Sequence, residues 1–174
     1  MPIRDMLLPE FDQEMANTRK MLERVPDGRF DYQPHAKSWK VNHLAGHVAD
    51  IPGWALHTMQ VEVLAMEPGQ YAPFEPTTRK ELLEHFDKNV SDAHAALATA
   101  TDEQLHTIWT MKWQGKTVMT MPRLQVLRGV VLNHLIHHRA QLGVYLRLMD
   151  VAVPGMYGPS ADEPQFGEGS EKAA

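Results

Sequence analysis

Apolar residues recur along most of the chain at steps of three and four positions, the spacing of one buried helix face. This pattern predicts four long helices, at about residues 5–24, 39–66, 78–99 and 122–149. Ser38 is a suitable N-cap for the second helix, and Thr78 with Glu81 forms a capping-box sequence at the start of the third. Pro52 falls inside the second helix, where we expect a kink or an early end.

The connections between these helices differ in length. Residues 67–77 contain three prolines and one glycine and are predicted to form a loop, and Thr101 with Gln104 indicates a short helical turn. Between residues 107 and 121, apolar and polar side chains alternate around Gly115. This alternation favours a short hairpin, and an irregular loop is the alternative because an isolated two-stranded hairpin is marginally stable. We therefore predict an all-α four-helix bundle with a short hairpin or irregular excursion before the last long helix.

Composition restricts the class of protein. The 174 residues suit one domain, predicted at residues 1–167, followed by a mobile tail at 168–174. A net charge of −5 gives no reason to expect nucleic acid or an anionic membrane as a partner. The chain has no apolar run long enough to span a bilayer, and acidic residues near its start argue against a signal peptide. A soluble, cytoplasmic protein is the expectation.

Cysteine is absent from the chain. Disulfides, cysteine-based zinc sites and a cysteine nucleophile are therefore excluded. Any metal must be held by histidine, carboxylate or backbone oxygen, and any thiol chemistry needs a thiol from outside.

Histidine spacing provides the strongest chemical signal. His134 and His138 lie four residues apart in the last helix, so their Cβ atoms are about 5–6 Å apart on one face and can bind one metal ion. His47 lies on the apolar stripe of the second helix and is the predicted third ligand, although His43, one turn away, is not excluded by spacing. His137 is turned by about 100° from His138 and is expected to reach solvent, a partner or the next helix.

Other polar and aromatic residues have weaker signals. Arg139 and Gln141 are candidates for orienting a metal ligand, and a position on a solvated helix face is an equal alternative for Arg139. Asp12 and Asp50 are carboxylate neighbours without diagnostic spacing. The remaining helical histidines are predicted to be core residues bonded to backbone: His57, His85, His94 and His106. The aromatic and methionine side chains of the hairpin are predicted to pack the hairpin onto the bundle or, alternatively, to line a substrate mouth: Trp109, Met111, Trp113, Met119 and Met121.

Four sequence motifs, in register over nearly the whole chain, resemble those of the DinB/YfiT-like superfamily of bundle metalloproteins. The motifs are Ser38 with Trp39, LAGH at residues 44–47, HLIHHRAQ at 134–141 and VPGMYGPS at 153–160. The resemblance implies an up-down-down-up helix bundle with a divalent metal, usually zinc or nickel, held by His47, His134 and His138. It also implies relatedness to thiol S-transferases and to a thiol-dependent maleylpyruvate isomerase.

A site of three neutral imidazoles leaves at least one metal coordination position open, as in catalytic metal sites. A bound thiol or a bound water would then become a nucleophile near pH 7. The resemblance favours a low-molecular-weight thiol that attacks a small-molecule substrate, hence a transferase. A hydrolase that uses bound water, and a non-catalytic metal- or ligand-binding stress protein, remain alternatives. A homodimer is also left open.

Overall fold

The protein is described by a computed structural model that covers residues 1–165 in detail. Its long helices are α1 (Arg4–Leu22), α2 (Val41–Gln60) and α3 (Arg79–Ala98), followed by the short helix α4 (Asp102–His106). Three strands are present in the described region, β1 (Val63–Met66), β2 (Ile108–Trp113) and β3 (Lys116–Pro122). The last long helix consists of α5 (Arg123–Gln125), a π-helical segment (Val126–Asn133) and α6 (His134–Leu148), with helical backbone at both junctions. The tail predicted at 168–174 lies outside the described residues.

The four long helices pack side by side around one apolar core. Helices α1 and α3 are antiparallel, α2 and α3 are parallel, and α1 and α6 are parallel, which gives the up-down-down-up order. The contacts that define these directions are Arg19–Asp87 with Asp12–His94, Gly46–Pro76 with Gly53–Asn89, and Glu14–Arg139 with Met21–Gly143. Buried leucines from all four helices, together with Phe11 of α1 and Phe86 of α3, fill the space between them. Among the described residues, no helix combines the length and apolarity that crossing a membrane requires.

The sequence predicts an all-α bundle with at most a short hairpin, whereas the structure adds a third strand to that hairpin and forms a three-stranded sheet in the order β1-β2-β3 at one end of the bundle. Residues 63–66, predicted as the end of the second helix, instead form β1, which pairs in parallel with β2 from Val63–Thr110 to Met66–Trp113. A partner strand more than 40 residues away decides this segment, because β structure depends on cross-strand neighbours more than on local preference. Helix α2 continues through Pro52 and ends at Gln60.

Strands β2 and β3 form the hairpin that was one of the two alternatives for residues 107–121. Its turn residues, Gln114 and Gly115, both have positive φ, as a tight turn matching the twist of the strands requires. The capping boxes at Thr78 and Thr101 are also present. Turn and cap chemistry is local, which is why the sequence predicts it well.

Gly46 allows the 67–77 loop to pack tightly on α2. A Cβ atom on Gly46 would lie 1.8 Å from the carbonyl oxygen of Phe74. Because the obstacle is backbone, Gly46→Ala should force the loop away and lower the free energy of unfolding by about 1–3 kcal/mol. Urea denaturation measures this change. Gly129→Ala is the matched control, since nothing lies within 4 Å of its added Cβ and a helical Gly→Ala change is otherwise favourable. An equal response of both variants would contradict the prediction.

Candidate metal centre

The three histidines predicted as ligands, two from their spacing and one from its place on an apolar stripe, meet between α2 and α6. His47 lies in the second turn of α2, while His134 and His138 occupy the first two turns of α6. The Nε2 atom of His134 lies 3.4 Å from that of His47 and 2.7 Å from that of His138. One ligand atom from each of the three lies within 4.8 Å of the others. The i,i+4 spacing thus places two nitrogens on α6, and the antiparallel packing of α2 supplies the third.

Burial keeps these imidazoles neutral. Desolvation, followed by the neighbouring His138 and His134, lowers the pKa of His47 to about 4. Desolvation also lowers the pKa of His134 and of His138, although a hydrogen bond to the Val130 backbone and one to Gln141, respectively, oppose it. Neutral imidazole is the form that binds a metal, so no proton has to be removed from these rings at neutral pH.

Two tryptophans form aromatic walls around the cluster. Trp39 stacks on His138, with ring centroids 5.5 Å apart and planes 23° apart, and its edge approaches His47. Trp54 contacts both His47 and His134 at centroid distances of 5.4 and 5.3 Å. The rings restrict the approach of water to the cluster and limit the orientations that the imidazoles adopt. The sequence motif pointed to Trp39 only through a family resemblance, and no spacing rule identified Trp54 as a wall.

Gln141 occupies the position expected of a residue that orients a ligand. The Nδ1 atom of His138 lies 2.7 Å from Oε1 of Gln141, so that Nδ1 donates and Nε2 is left to face the other two histidines. Such a partner fixes the tautomer and direction of a metal-binding imidazole. Gln141 is one turn after His138 on the same helix, which explains why sequence spacing can find it.

Arg139 lies on the opposite side of α6 from solvent and is only 2% exposed, which rules out a solvated helix face. It forms an ion pair of 2.8 Å with Glu14 of α1, donates to the hydroxyl of Thr18, and donates to the hydroxyl of Tyr157. These partners lie on α1 and on the segment after α6. Arg139 therefore connects α6 to α1 and to the segment that follows α6, and its contacts give no support for a direct role in orienting a ligand.

The other histidines near α2 and α6 have partners of their own. His43, which spacing did not exclude, lies with Nδ1 2.8 Å from Oε1 of Glu75, and its ring packs on Trp39. His137 is exposed and touches only the edge of the cluster, through the ring of His138. Neither belongs to the three-nitrogen cluster.

The prediction that the remaining helical histidines are buried core residues is wrong. His57 and His106 are exposed, and His106 alone of the four is bonded to a backbone carbonyl in the described contacts. His85 is half-buried, with Nε2 2.6 Å from a carboxylate oxygen of Asp50, and His94 lies 3.5 Å from exposed Asp12. Carboxylates on neighbouring helices explain both positions, and a single sequence contains no signal for such pairings.

The hairpin residues lie away from the groove that borders the cluster. Trp109 is buried, which fits a role in packing the hairpin onto the bundle, whereas Trp113 is exposed at the end of β2. A groove of about 430 Å³ adjoins His138, and its wall is formed mainly by Trp39, Leu44, His138, Gln141, Val144 and Tyr145. The opening beside the cluster is therefore built by α2, α6 and the loop before α2.

The residues present fit a divalent cation. Zinc–nitrogen bonds of about 2.0–2.1 Å in tetrahedral geometry place ligand nitrogens roughly 3.3 Å apart. The His47–His134 separation of 3.4 Å matches this spacing, and the 2.7 Å between His134 and His138 requires those rings to separate by roughly half an ångström on binding. Three protein ligands leave a coordination position for a substrate or solvent molecule, as in catalytic rather than structural sites.

Comparisons with known proteins agree with this fold. A DinB-like protein of known structure from Bacillus cereus ATCC 10987 is 26% identical, with a TM-score of 0.68 over 86% of this chain and 95% of that one. "Uncharacterized protein YrdA" of Bacillus subtilis (strain 168) is 24% identical over 91% of this chain and 90% of its own length. A mutant of the mycothiol-dependent maleylpyruvate isomerase, 12% identical, shares the fold alone, with a TM-score of 0.56 over 88% of this chain and 63% of that one. The DinB family model matches residues 3–172, and the chain belongs to the DinB family.

Proposed function

We propose that this protein is a metal-dependent enzyme of the thiol S-transferase type. It binds one zinc or nickel ion through His47, His134 and His138 and joins a low-molecular-weight thiol to a small electrophile. The observation that supports this most is the convergence of three neutral imidazole nitrogens beside an open groove. The fold shared with a mycothiol-dependent isomerase supports the use of a thiol.

The role of the metal follows from the charge of its ligands. Three neutral histidines leave the +2 charge of a divalent cation uncompensated, and such an ion lowers the pKa of a thiol or of a water molecule bound to it. The chain has no cysteine, so the sulfur has to come from a second molecule. In the transfer, that sulfur forms a new C–S bond, the thiol proton goes to solvent, and the leaving group departs with its bonding electron pair.

The residues of the chain hold and shield the reactants. Gln141 fixes His138 with Nε2 toward the cluster, and Trp39 and Trp54 limit the access of water. The groove beside His138 offers space for a small molecule. Among the described residues, the one further titratable side chain in ring contact with the three histidines is His137, which is exposed and touches His138. We therefore assign no general base.

We expect conjugation of a thiol to an electrophile to require both an added thiol and the metal. The measurement is turnover of a chromogenic electrophile such as 1-chloro-2,4-dinitrobenzene with a panel of cellular thiols, before and after chelation. Activity should vanish on chelation and in His47→Ala, and should persist in His57→Ala, an exposed histidine on the same helix. The rate should also depend on pH less steeply than the ionisation of the free thiol, because the cation favours the ionised sulfur below its solution pKa.

The same assay separates the alternatives. Metal-dependent cleavage of esters or amides without any thiol would replace the transferase with a hydrolase that uses water. Tight metal binding without turnover of either kind would leave a metal- or ligand-binding protein. An unaffected rate in His47→Ala would end the proposal even where activity is found. The homodimer stays a prediction from the sequence, to be tested by the mass of the protein in solution.

A further inference from the structure

The groove beside His138 has an uneven distribution of charge. Besides the wall residues named above, it is lined by Lys37 and Ser38 from the loop that precedes α2. Of the residues lining it within the described chain, Lys37 is the only lysine or arginine, and none is an aspartate or glutamate. Leu44, Val144 and the ring of Tyr145 contribute apolar surface.

Its polar groups are mostly hydrogen-bond donors. The carbonyl oxygen of Gln141 already accepts from His138, which leaves the amide NH₂ of Gln141 for another molecule. Lys37 offers an ammonium group, and Ser38 a hydroxyl. A cavity with apolar walls, one cation, several donors and no carboxylate is complementary to a small molecule that has an apolar body and one anionic group.

The cavity on the other side of Trp39 provides a contrast. Its volume is about 330 Å³, and its lining includes Lys40, Asn42, His43 and Glu75. Glu75 accompanies Lys40 there, and the carboxylate disfavours a second anion. This second cavity does not include any of the three clustered histidines among its lining residues.

We propose that the groove beside His138 is the binding site of the electrophilic substrate, and that this substrate is a small apolar carboxylate whose anionic group is recognised by Lys37. That the bound carboxylate is the electrophilic substrate rests on the proposed function, but its binding to the groove needs neither metal nor thiol. Lys37 would be a specificity-determining residue: it favours carboxylates over neutral analogues of the same shape.

The test is binding of trans-cinnamate and of its neutral counterpart cinnamamide to chelated, metal-free protein at pH 8. Calorimetry gives the two dissociation constants, and the side-chain amide resonance of Gln141 reports whether the ligand occupies this groove. Metal-free protein removes direct coordination of the carboxylate as an explanation. Failure of thiol transfer would leave this measurement unchanged, so the two proposals fail separately.

Cinnamate should bind about fivefold more tightly than cinnamamide, as one partly exposed ion pair allows. Lys37→Met should remove this preference, Lys37→Arg should keep it, and Lys40→Met should leave it unchanged because Lys40 lines the other cavity. Saturable binding with the expected shift of Gln141 would support the proposal. Absence of saturable binding, equal affinity for acid and amide, or an unchanged preference in Lys37→Met would overturn it.

Discussion

His138→Ala should reduce bound metal from about one ion per chain to nearly none. The substitution removes one of three ligands and also leaves Gln141 without the imidazole that it orients. Two histidines from different helices make a much weaker site than three whose positions are fixed by packing. The measurement is elemental analysis of protein that has been chelated, reloaded with zinc or nickel, and passed through a desalting column.

The matched control is His94→Ala, which changes a half-exposed histidine on α3 that lies beside Asp12. It should retain full metal. Circular dichroism checks that each variant keeps its helical content, so that metal loss is not a consequence of unfolding. Full metal in both His134→Ala and His138→Ala would contradict the assignment of the site.

The helical part of the fold could be predicted because its signals are local. The apolar stripe of α3 and the capping box at Thr78 fix that helix to within one residue at each end. The positions of α1 and α6 follow from the same periodicity. Periodicity fails for β1, since Val63–Met66 becomes a strand only by pairing with β2.

The π-helical segment also could not be predicted from the sequence. Residues 126–133 have the same apolar periodicity as an ordinary helix, and the wider hydrogen-bonding pattern shows only in the structure. The segment ends at Asn133, immediately before His134. Because π-helical turns are often found at functional sites, its position next to the cluster is consistent with a role in setting the direction of His134.

The three-histidine cluster was more predictable than its surroundings. His134 and His138 share a face by spacing alone, and His47 is marked by its place on an apolar stripe. The walls of the site could not be predicted in this way, because Trp54 and the groove residues come together only when α2 packs against α6. A single sequence records what each helix presents, but it does not record which residues face each other across a helix pair.

Arg139 shows the same limit most clearly. Its neighbours in sequence, His138 and Gln141, favoured a role at the metal site, whereas its partners are separated from it by up to 125 residues. Glu14 is nearly as buried as Arg139, and Tyr157 donates to Glu14 while it accepts from Arg139. The tail motif at residues 153–160 is thus tied to α1 and α6 through Tyr157, which is largely exposed itself but bonds to the buried Arg139–Glu14 pair.

Arg139→Met should lower the free energy of unfolding by about 3–5 kcal/mol, because it leaves the Glu14 carboxylate buried without its cation. This is a large part of the total stability of a typical domain. Arg128→Met is the matched control: Arg128 pairs with Glu10 of the same helix α1, but both side chains are exposed, so the cost should stay below about 1 kcal/mol.

Adding Glu14→Leu to Arg139→Met should restore much of the loss, since an apolar pair can replace a buried ion pair at little cost. Urea denaturation of the four proteins gives these differences, and metal analysis of folded Arg139→Met should still find one ion per chain. A cost for Arg139→Met no larger than that for Arg128→Met would contradict the prediction that the buried Arg139–Glu14 pair stabilises the fold.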